Sequence, residues 1–319
     1  MKVSDPPRGL IVDLITPVNK NGDIDGRGLG QLLDRVLPCV QGVLLASPYM
    51  GEGTDLGPSQ IEELLEKSLV VVRGQVPILV WISRNGEEQT KEILRLLKKR
   101  LETRKYPGPV FWVDTPLFYH SNRGLPFHYQ NLASMTKDPF ILHNDPELIK
   151  QLAGPLKRIN IRTAILKELA MTDAVRGLIF LGSLERSYNY LKAVRKTSDF
   201  RIYDGGESRF LKHPSLSGLI SAGANLAPMT WRKITASSLS LNGDGDEYPD
   251  QIQQIWEWGA YIQALKDLYE GAAVPLIKQV LSDMGVIDSP ACSRGIEVDI
   301  GERAGRLKTL MKQHGDYPQ

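Results

Sequence analysis

Eight short apolar runs recur along the first part of the chain, and a longer segment with helical periodicity follows each of them. The runs are rich in Val, Ile and Leu, as strands buried on both faces of a parallel sheet are. Eight strand–helix pairs in this length predict an α/β fold, the TIM (β/α)8 barrel. An open doubly wound sheet is the competing architecture, but no glycine-rich phosphate loop follows the first run. The predicted strands are Gly9–Ile15, Gly42–Ser47, Pro77–Ser83, Val110–Asp114, Pro139–His143, Arg176–Leu181, Phe200–Asp204 and Ser217–Ser221.

Local signals place the helices between these strands. Asp25 and Pro58 are typical first-turn residues, and Asn85 precedes a third helix with an acidic start and a basic end. Beyond the eighth strand only helical patterns follow. We therefore expect a barrel over residues 1–240 and a C-terminal helical extension over residues 241–319.

An acidic, turn-rich stretch, Leu241–Asp250, joins these two parts. Asp244, Asp246 and Glu247 suggest calcium ligands, but the loop lacks the twelve-position spacing of a calcium-binding loop, so we expect a solvated turn. A second long loop is predicted at the barrel mouth, over Asp145–Asn160, where it would act as a lid or a contact.

Composition narrows the function class. The 39 basic and 37 acidic residues give a net charge of +2 without a basic block, which argues against a nucleic-acid partner. Cys39 and Cys292 have no metal-ligand spacing, as in a reducing compartment. The start of the chain lacks the apolar core of a signal peptide, and no apolar run reaches the ~20 residues of a membrane span. We expect a cytoplasmic protein that does not bind membranes.

Active sites of such barrels lie at the carboxyl ends of the strands, so the polar residues there are the first functional candidates. They form a mixed set: Thr16, Tyr49, Gly51, Glu52, Ser83, Arg84, Asp114, Tyr119, His120, His143, Asn144, Asp145, Asp204, Gly206, Glu207 and Ser221.

Several of these landmarks together resemble the dihydrodipicolinate synthase and N-acetylneuraminate lyase family. They are the run GLIVDLITPVNKNGDID, Gly51-Glu52 after strand two, Thr115-Pro116 after strand four, Asn144 and Pro146 after strand five, Gly205-Gly206 after strand seven, and GLISAGAN after strand eight. The resemblance extends into the tail at AAVPLIKQVLSDMGV. It implies a barrel with C-terminal helices, a homotetramer or homodimer, a small 2-oxo acid or sugar acid as ligand, and a strand-six lysine that forms a Schiff base.

The chain departs from this family at its catalytic positions. The family's Gly-Thr-Thr-Gly-Glu, whose threonines hold the oxo acid's carboxylate, reads Pro48-Tyr49-Met50-Gly51-Glu52, and we expect the two large side chains to plug part of the pocket. The second tyrosine of its Pro-Tyr-Tyr-Asn falls on Phe118, unless Tyr119 substitutes for it. The proton-shuttling tyrosine of its Tyr-Asn-X-Pro motif falls on His143.

The position of the lysine decides what chemistry is expected. Lys167, in TAILKELA, superficially resembles the family's lysine strand, but the apolar residues around it recur at helical spacing. Arg176–Leu181 is the better strand, and the Schiff-base position then falls on Ile179 or Phe180. An alkyl or phenyl group cannot replace an amine nucleophile, so covalent capture of a carbonyl would be lost.

These observations lead to a divergent lyase or aldolase that uses His143 and Tyr119 as proton-transfer groups and needs no cofactor. The predicted substrate-binding residues are Thr16, Tyr49, Gly51, Glu52, Asp114, Asn144, Gly206, Glu207 and Ser221. Asp114, His143, Asp145, Asp204 and Glu207 could together bind a metal, but we do not expect this site, because these residues form no motif. Two alternatives stay open: a non-catalytic ligand-binding or assembly barrel, and an ordinary class I aldolase that uses Lys167.

Overall fold

Eight parallel strands close into a barrel, with neighbours in sequence order and β8 paired to β1. A computed structural model describes residues 5–317 except 153–157, 198, 216, 240–247 and 294–299; it leaves the side chains of residues 152 and 248–252 undescribed. The strands are β1 (Gly9–Asp13), β2 (Gly42–Leu45), β3 (Ile78–Trp81), β4 (Val110–Asp114), β5 (Phe140–Asn144), β6 (Val175–Phe180), β7 (Arg201–Asp204) and β8 (Gly218–Ser221). The predicted TIM barrel is confirmed.

Helices surround the barrel, and in the described part of the chain three more follow it. Those paired with the strands are α1 (Gly26–Val36), α2 (Pro58–Val72), α3 (Glu87–Arg104), α4 (Leu125–Met135), α5 (Pro146–Leu152), α6 (Thr163–Ala170), α7 (Leu184–Val194), α8 (Glu207–Lys212) and α9 (Pro228–Leu239). The C-terminal extension contains α10 (Tyr248–Tyr269), α11 (Ala273–Asp283) and α12 (Gly301–Gln313). Single 3₁₀ turns lie at Leu37–Cys39, Pro116–Phe118 and Gly223–Asn225. Within the described residues, no helix is long and apolar enough to cross a bilayer.

Side-chain alternation along the strands separates two cores. One is a large layer between the strands and the helices, and the other fills the inside of the barrel. Each strand sends one or two side chains inward, as expected when successive residues point to opposite faces. The inner set is Ile11, Leu44, Leu79, Trp81, Phe111, Val113, Ile141, Ile179, Tyr203 and Ile220, all at most 4% exposed. The inside of the barrel is therefore filled with apolar side chains.

Local capping agrees with several sequence signals. Asp25 Oδ1 accepts a hydrogen bond from Gly28 N at 2.8 Å at the start of α1, and Pro58 is the first residue of α2. The predicted first strand is too long at its end, because Ile15 N donates to Asn225 Oδ1 at 3.2 Å and not to a neighbouring strand.

The predicted loop Asp145–Asn160 is wrong over its first half. Residues 146–152 form α5, because Asp145 Oδ1 accepts hydrogen bonds from Glu147 N and Leu148 N and so caps the helix. The other predicted loop, Leu241–Asp250, lies mostly outside the described residues, as do Asp244, Asp246 and Glu247; its last three residues begin α10.

Candidate functional site

Polar side chains replace the apolar filling at the carboxyl end of the barrel. His143 lies two residues beyond the inward-facing Ile141, Thr115 two beyond Val113, and Asp13 two beyond Ile11, so strand alternation directs all three inward. β5 and β6 pair so that His143 lies opposite Ile179. The position predicted for proton transfer and the position predicted for the missing amine are therefore neighbours.

His143 is held in a defined protonation state. Its Nδ1 lies 2.9 Å from Thr115 Oγ1, which also accepts a hydrogen bond from Trp81 Nε1 at 2.9 Å. The arrangement that uses the hydroxyl proton has Thr115 donating to Nδ1, which leaves the imidazole proton on Nε2. Burial lowers the pKa of His143 to about 4, so the ring is neutral at neutral pH.

Asp13 is a second titratable group at this end of the barrel. Burial raises its pKa to about 7, the Ser47 hydrogen bond lowers it, and the charge of Glu207 raises it further. Its Oδ1 is buried and has no hydrogen-bond partner among the described residues. Asp13 was not among the predicted site residues, although a lone carboxylate within an otherwise apolar strand was a signal for it.

Tyr119 belongs to a network centred on Asp114. Tyr119 and Tyr129 donate to Asp114 Oδ2 at 2.8 and 2.7 Å, and Ser83 donates to Oδ1 at 2.6 Å. The Tyr119 oxygen also lies 3.0 Å from His128 Nε2. Burial, with the nearby Asp114 carboxylate, raises the pKa of Tyr119 well above its usual range, so the phenol stays protonated.

The structure describes Lys167 and both strand-six positions at which the Schiff-base lysine was expected. Lys167 lies on α6 with an exposed side chain, whereas Ile179 is 1% exposed inside the barrel. Phe180 faces the outer layer. Among the lysines that the structure describes, the two buried ones, Lys266 and Lys278, lie on α10 and α11 and are both in ion pairs.

The loop after β2 is fixed by backbone-directed hydrogen bonds. Thr16 Oγ1 donates to Gly51 O at 2.7 Å, and Gly51 N donates to Ser47 Oγ at 2.9 Å. A Cβ at position 51 would lie 2.4 Å from Ser47 N, so this close approach requires glycine. Glu52 accepts from Lys278 Nζ and from Ser293 N. Tyr49 and Met50 of this loop were expected to fill part of the pocket. Tyr49 is instead 44% exposed, and Met50 is buried in the core between the strands and the helices.

The remaining predicted binding residues also carry framework hydrogen bonds. Asn144 accepts from Ile161 N at 2.8 Å. Glu207 Oε1 accepts from Ser221 Oγ at 2.6 Å and from Gly223 N at 2.7 Å, and burial raises its pKa. A Cβ at Gly206 would meet nothing within 4 Å, so space is open there. Substrate binding by these residues stays a prediction.

Arg84, at the mouth above β3, forms no ion pair with any residue that the structure describes. Its Nη1 donates to Ser83 O at 2.7 Å and to Gly53 O at 3.2 Å, and its guanidinium lies 5.2 Å from the centroid of the Trp81 ring. Its Nε and Nη2 are buried without a hydrogen-bond partner in the described part of the chain. Burial lowers the pKa of Arg84 to about 10.

The four carboxylates of the metal site that was not expected have separate partners and do not form a cluster. Asp204 pairs with Arg209, Asp145 caps α5, and Asp114 and Glu207 bind hydroxyls separately. Across the described residues, the one group with three close metal-capable side chains is Glu87, His120 and His128, beside the Tyr119 network.

A closed (β/α)8 barrel with titratable side chains at its carboxyl end and helices after β8 defines a class of barrel proteins that includes enzymes and non-catalytic relatives. The family model for the Dihydrodipicolinate synthetase family matches residues 6–313. The chain belongs to that family.

Relatives match over most or all of the chain at low identity. The 4-hydroxy-tetrahydrodipicolinate synthase of Thermotoga neapolitana is 25% identical over 320 residues, covering 97% of this chain and 99% of its own. The enzyme of that name from Shewanella sp. (strain W3-18-1) is 24% identical over 249 residues, covering 74% of this chain and 76% of its own.

Solved structures share the fold. A monomeric dihydrodipicolinate synthase variant superposes with a TM-score of 0.77 at 21% identity, covering 97% of both chains. The dihydrodipicolinate synthase of Aquifex aeolicus gives 0.76 at 18% identity, covering 98% of this chain and 99% of its own.

Proposed function

We propose that this protein is a divergent aldolase-type lyase that acts on a small 2-oxo acid or sugar acid by proton transfer, without a Schiff base. Family membership and the names of the relatives support the lyase class. The observation that carries the proposal is the apolar side chain of Ile179 beside His143, with Lys167 exposed on α6. An amine must reach the substrate carbonyl to form an imine, and neither position meets that need.

Without an imine, the proposed cleavage depends on proton transfer by a base and an acid. In an aldol-type cleavage a base takes the proton of the substrate hydroxyl, the carbon–carbon bond breaks, and its electron pair enters the 2-oxo group as an enolate. An acid then protonates the enolate carbon. His143 Nε2–H can donate a hydrogen bond to the enolate oxygen, because the neutral ring carries its proton there.

Asp13 and Tyr119 are the proposed partners of His143. A carboxyl group with a pKa of about 7 is suited to exchange protons in either direction near neutral pH. β1 and β5 lie on opposite sides of the eight-stranded barrel, so Asp13 and His143 would approach a ligand from opposite walls. Tyr119 is kept protonated by burial and by the Asp114 carboxylate, and as a donor at the rim it would turn to a ligand the proton that it now gives to Asp114.

The unpartnered guanidinium edge of Arg84 supports the proposal that the substrate is acidic. The unpartnered Nε and Nη2 lie on one edge of the guanidinium, and this edge matches the two oxygens of a carboxylate. Leaving a buried charge without a counter-charge is costly, so an anionic ligand at this position would be favoured.

We also propose a homodimer or homotetramer. Leu184 and Tyr188 are 47% and 69% exposed one helical turn apart on α7, and Met171, 76% exposed, directly follows the neighbouring α6. Light scattering on wild type and Tyr188→Glu tests this: a wild-type monomer would refute it, and a smaller assembly in the variant would support this face.

Borohydride trapping tests the absence of a Schiff base. The protein is reduced in the presence of pyruvate and of longer 2-oxo acids, and intact and peptide masses are measured. We expect no adduct in wild type or in Lys167→Ala. An adduct mapped to any lysine of the wild-type protein would refute the proposal, and one on Lys167 would establish the class I aldolase alternative.

Ligand binding and turnover separate the lyase from a non-catalytic barrel. Thermal shift with a panel of 2-oxo acids and sugar acids identifies a ligand, and product analysis follows its cleavage. His143→Ala is expected to lose cleavage but keep thermal stabilisation. Stabilisation of the wild-type protein with no turnover of any stabilising ligand would favour the binding or assembly barrel.

A further inference from the structure

Three side chains that ligate transition metals converge on the barrel rim beside Tyr119. Glu87 is the first residue of α3, His120 lies in the loop before α4, and His128 is on α4. One ligand atom from each lies within 4.8 Å of the other two. The two imidazole rings stack with their centroids 4.9 Å apart, and His128 Nδ1 lies 3.4 Å from Glu87 Oε1.

The hydrogen bonds of His128 determine which of its nitrogens has a free lone pair. Tyr119 gives its hydroxyl proton to Asp114 Oδ2 at 2.8 Å, so its oxygen accepts from His128 Nε2–H at 3.0 Å. In the neutral ring Nδ1 then presents a lone pair, and it is buried with no hydrogen-bond partner in the described residues. Nδ1 faces Oε1 of Glu87, so two hydrogen-bond acceptors lie next to each other.

His120 adds a third acceptor. Its Nδ1 lies 2.6 Å from Ser121 O, and because a carbonyl only accepts, Nδ1 carries the proton and Nε2 the lone pair. Glu87 Oε1 pairs with Lys91 Nζ at 2.8 Å. Lys91 also contacts Glu88 at 2.8 Å, so it keeps a partner if Glu87 turns to a metal.

We propose that Glu87, His120 and His128 form a binding site for a divalent transition metal, with Zn²⁺ as the best match. Two imidazole nitrogens and one carboxylate oxygen are a zinc ligand set, and three protein ligands leave a fourth position for water or another ligand. A cation between Nδ1 of His128 and Oε1 of Glu87 removes the contact between two acceptors. The chain from His128 through Tyr119 to Asp114 is the outer-shell support that metal-binding histidines commonly have.

A proton could take the place of the metal between His128 Nδ1 and Glu87 Oε1, because a doubly protonated His128 would form an ordinary ion pair with Glu87. The two occupants predict different behaviour. A metal site binds one equivalent of zinc and loses it on acidification, whereas an ion pair binds no metal at any pH.

Metal binding by the intact protein tests the proposal directly. Chelator-treated, dialysed protein is titrated with Zn²⁺ and with Mg²⁺ by calorimetry, bound metal is counted by mass spectrometry, and Co²⁺ is added as a spectroscopic probe. We expect one bound zinc per chain, no comparable magnesium binding, and the intense visible bands of tetrahedral cobalt.

Single substitutions identify the ligands. His120→Ala and Glu87→Gln are expected to weaken zinc binding by about tenfold or more, since even outer-shell changes at zinc sites cost that much. Glu88→Gln is the matched control, because Glu88 is exposed, contacts the same lysine and is not in the cluster. Circular dichroism confirms that each variant is folded.

Two results would overturn the site: wild-type protein that binds no zinc near neutral pH, or folded His120→Ala and Glu87→Gln variants that bind zinc as tightly as Glu88→Gln. Because the readout is metal content and not turnover, the result is independent of the proposed lyase activity.

Discussion

The buried ion pair between Glu52 and Lys278 provides a quantitative test of how the C-terminal helices are joined to the barrel mouth. Lys278, on α11, is 0% exposed, and its Nζ donates to Glu52 Oε2 and to Ala291 O, the latter at 2.8 Å. Removing one partner leaves the other charge buried and unpaired, which costs about 3–5 kcal/mol. For Lys278→Met and for Glu52→Gln we therefore expect a melting temperature lower by roughly 6–10 °C, at about 2 °C for each kcal/mol.

The double variant distinguishes an ion pair from two unrelated contacts. Once both charges are gone, neither is left without its partner, so the loss in the double variant should be well below the sum of the two single losses. Urea unfolding of the four proteins gives the coupling free energy, expected to exceed about 1 kcal/mol. Strictly additive losses would refute the reasoning.

Three further predictions concern the barrel interior and mouth. Ile179→Lys places an amine beside His143 and should create a borohydride-trappable adduct with pyruvate; a folded variant without an adduct would mean that pyruvate does not reach this position. Asp13 has a folded pKa of about 7 against an ordinary 3.8, so the folded state holds its proton more tightly, and stability falls as the pH rises from about 4 to 7, by up to about 4 kcal/mol. Asp13→Asn should abolish that fall in urea unfolding followed across pH, exposed Asp34→Asn should keep it, and an unchanged profile in Asp13→Asn would refute the shift. Arg84→Met should weaken binding of an acidic ligand found by thermal shift more than binding of its amide analogue, and equal losses would exclude a charge-specific role.

Sequence periodicity was sufficient to separate strand six from the helix before it. The apolar residues around Lys167 recur at helical spacing, and the segment is α6; residues 175–180 lack polar interruption except Arg176 and form β6. The error at α5 arose because Asp145-Pro146 was taken for the start of a loop, although Asp followed by Pro is also a helix start. Short helices at a barrel mouth carry too few apolar positions for periodicity to reveal them.

Contacts between distant segments account for most of what the sequence did not reveal. Glu52 and Lys278 are 226 positions apart, and nothing in the local pattern of either predicts that a lysine on an amphipathic helix is fully buried. The same holds for Glu87 and His128, whose spacing is no metal motif and which meet because consecutive strands β3 and β4 are neighbours in the barrel.

The charges at the barrel end form a consistent set. An amine at position 179 would stand beside His143, in the interior where Asp13 also lies, and would favour the ionised form of that carboxyl group. With Ile179 in that place, burial acts unopposed by a cation among the described residues of the interior, and the pKa of Asp13 rises to about 7. On the proposed mechanism, the apolar residue that would exclude an imine would thus also help to give Asp13 the proton affinity that acid–base chemistry needs. Burial also keeps His143 neutral, so in the proposed reaction the interior would exchange protons with a bound acid whose charge Arg84 would meet at the rim.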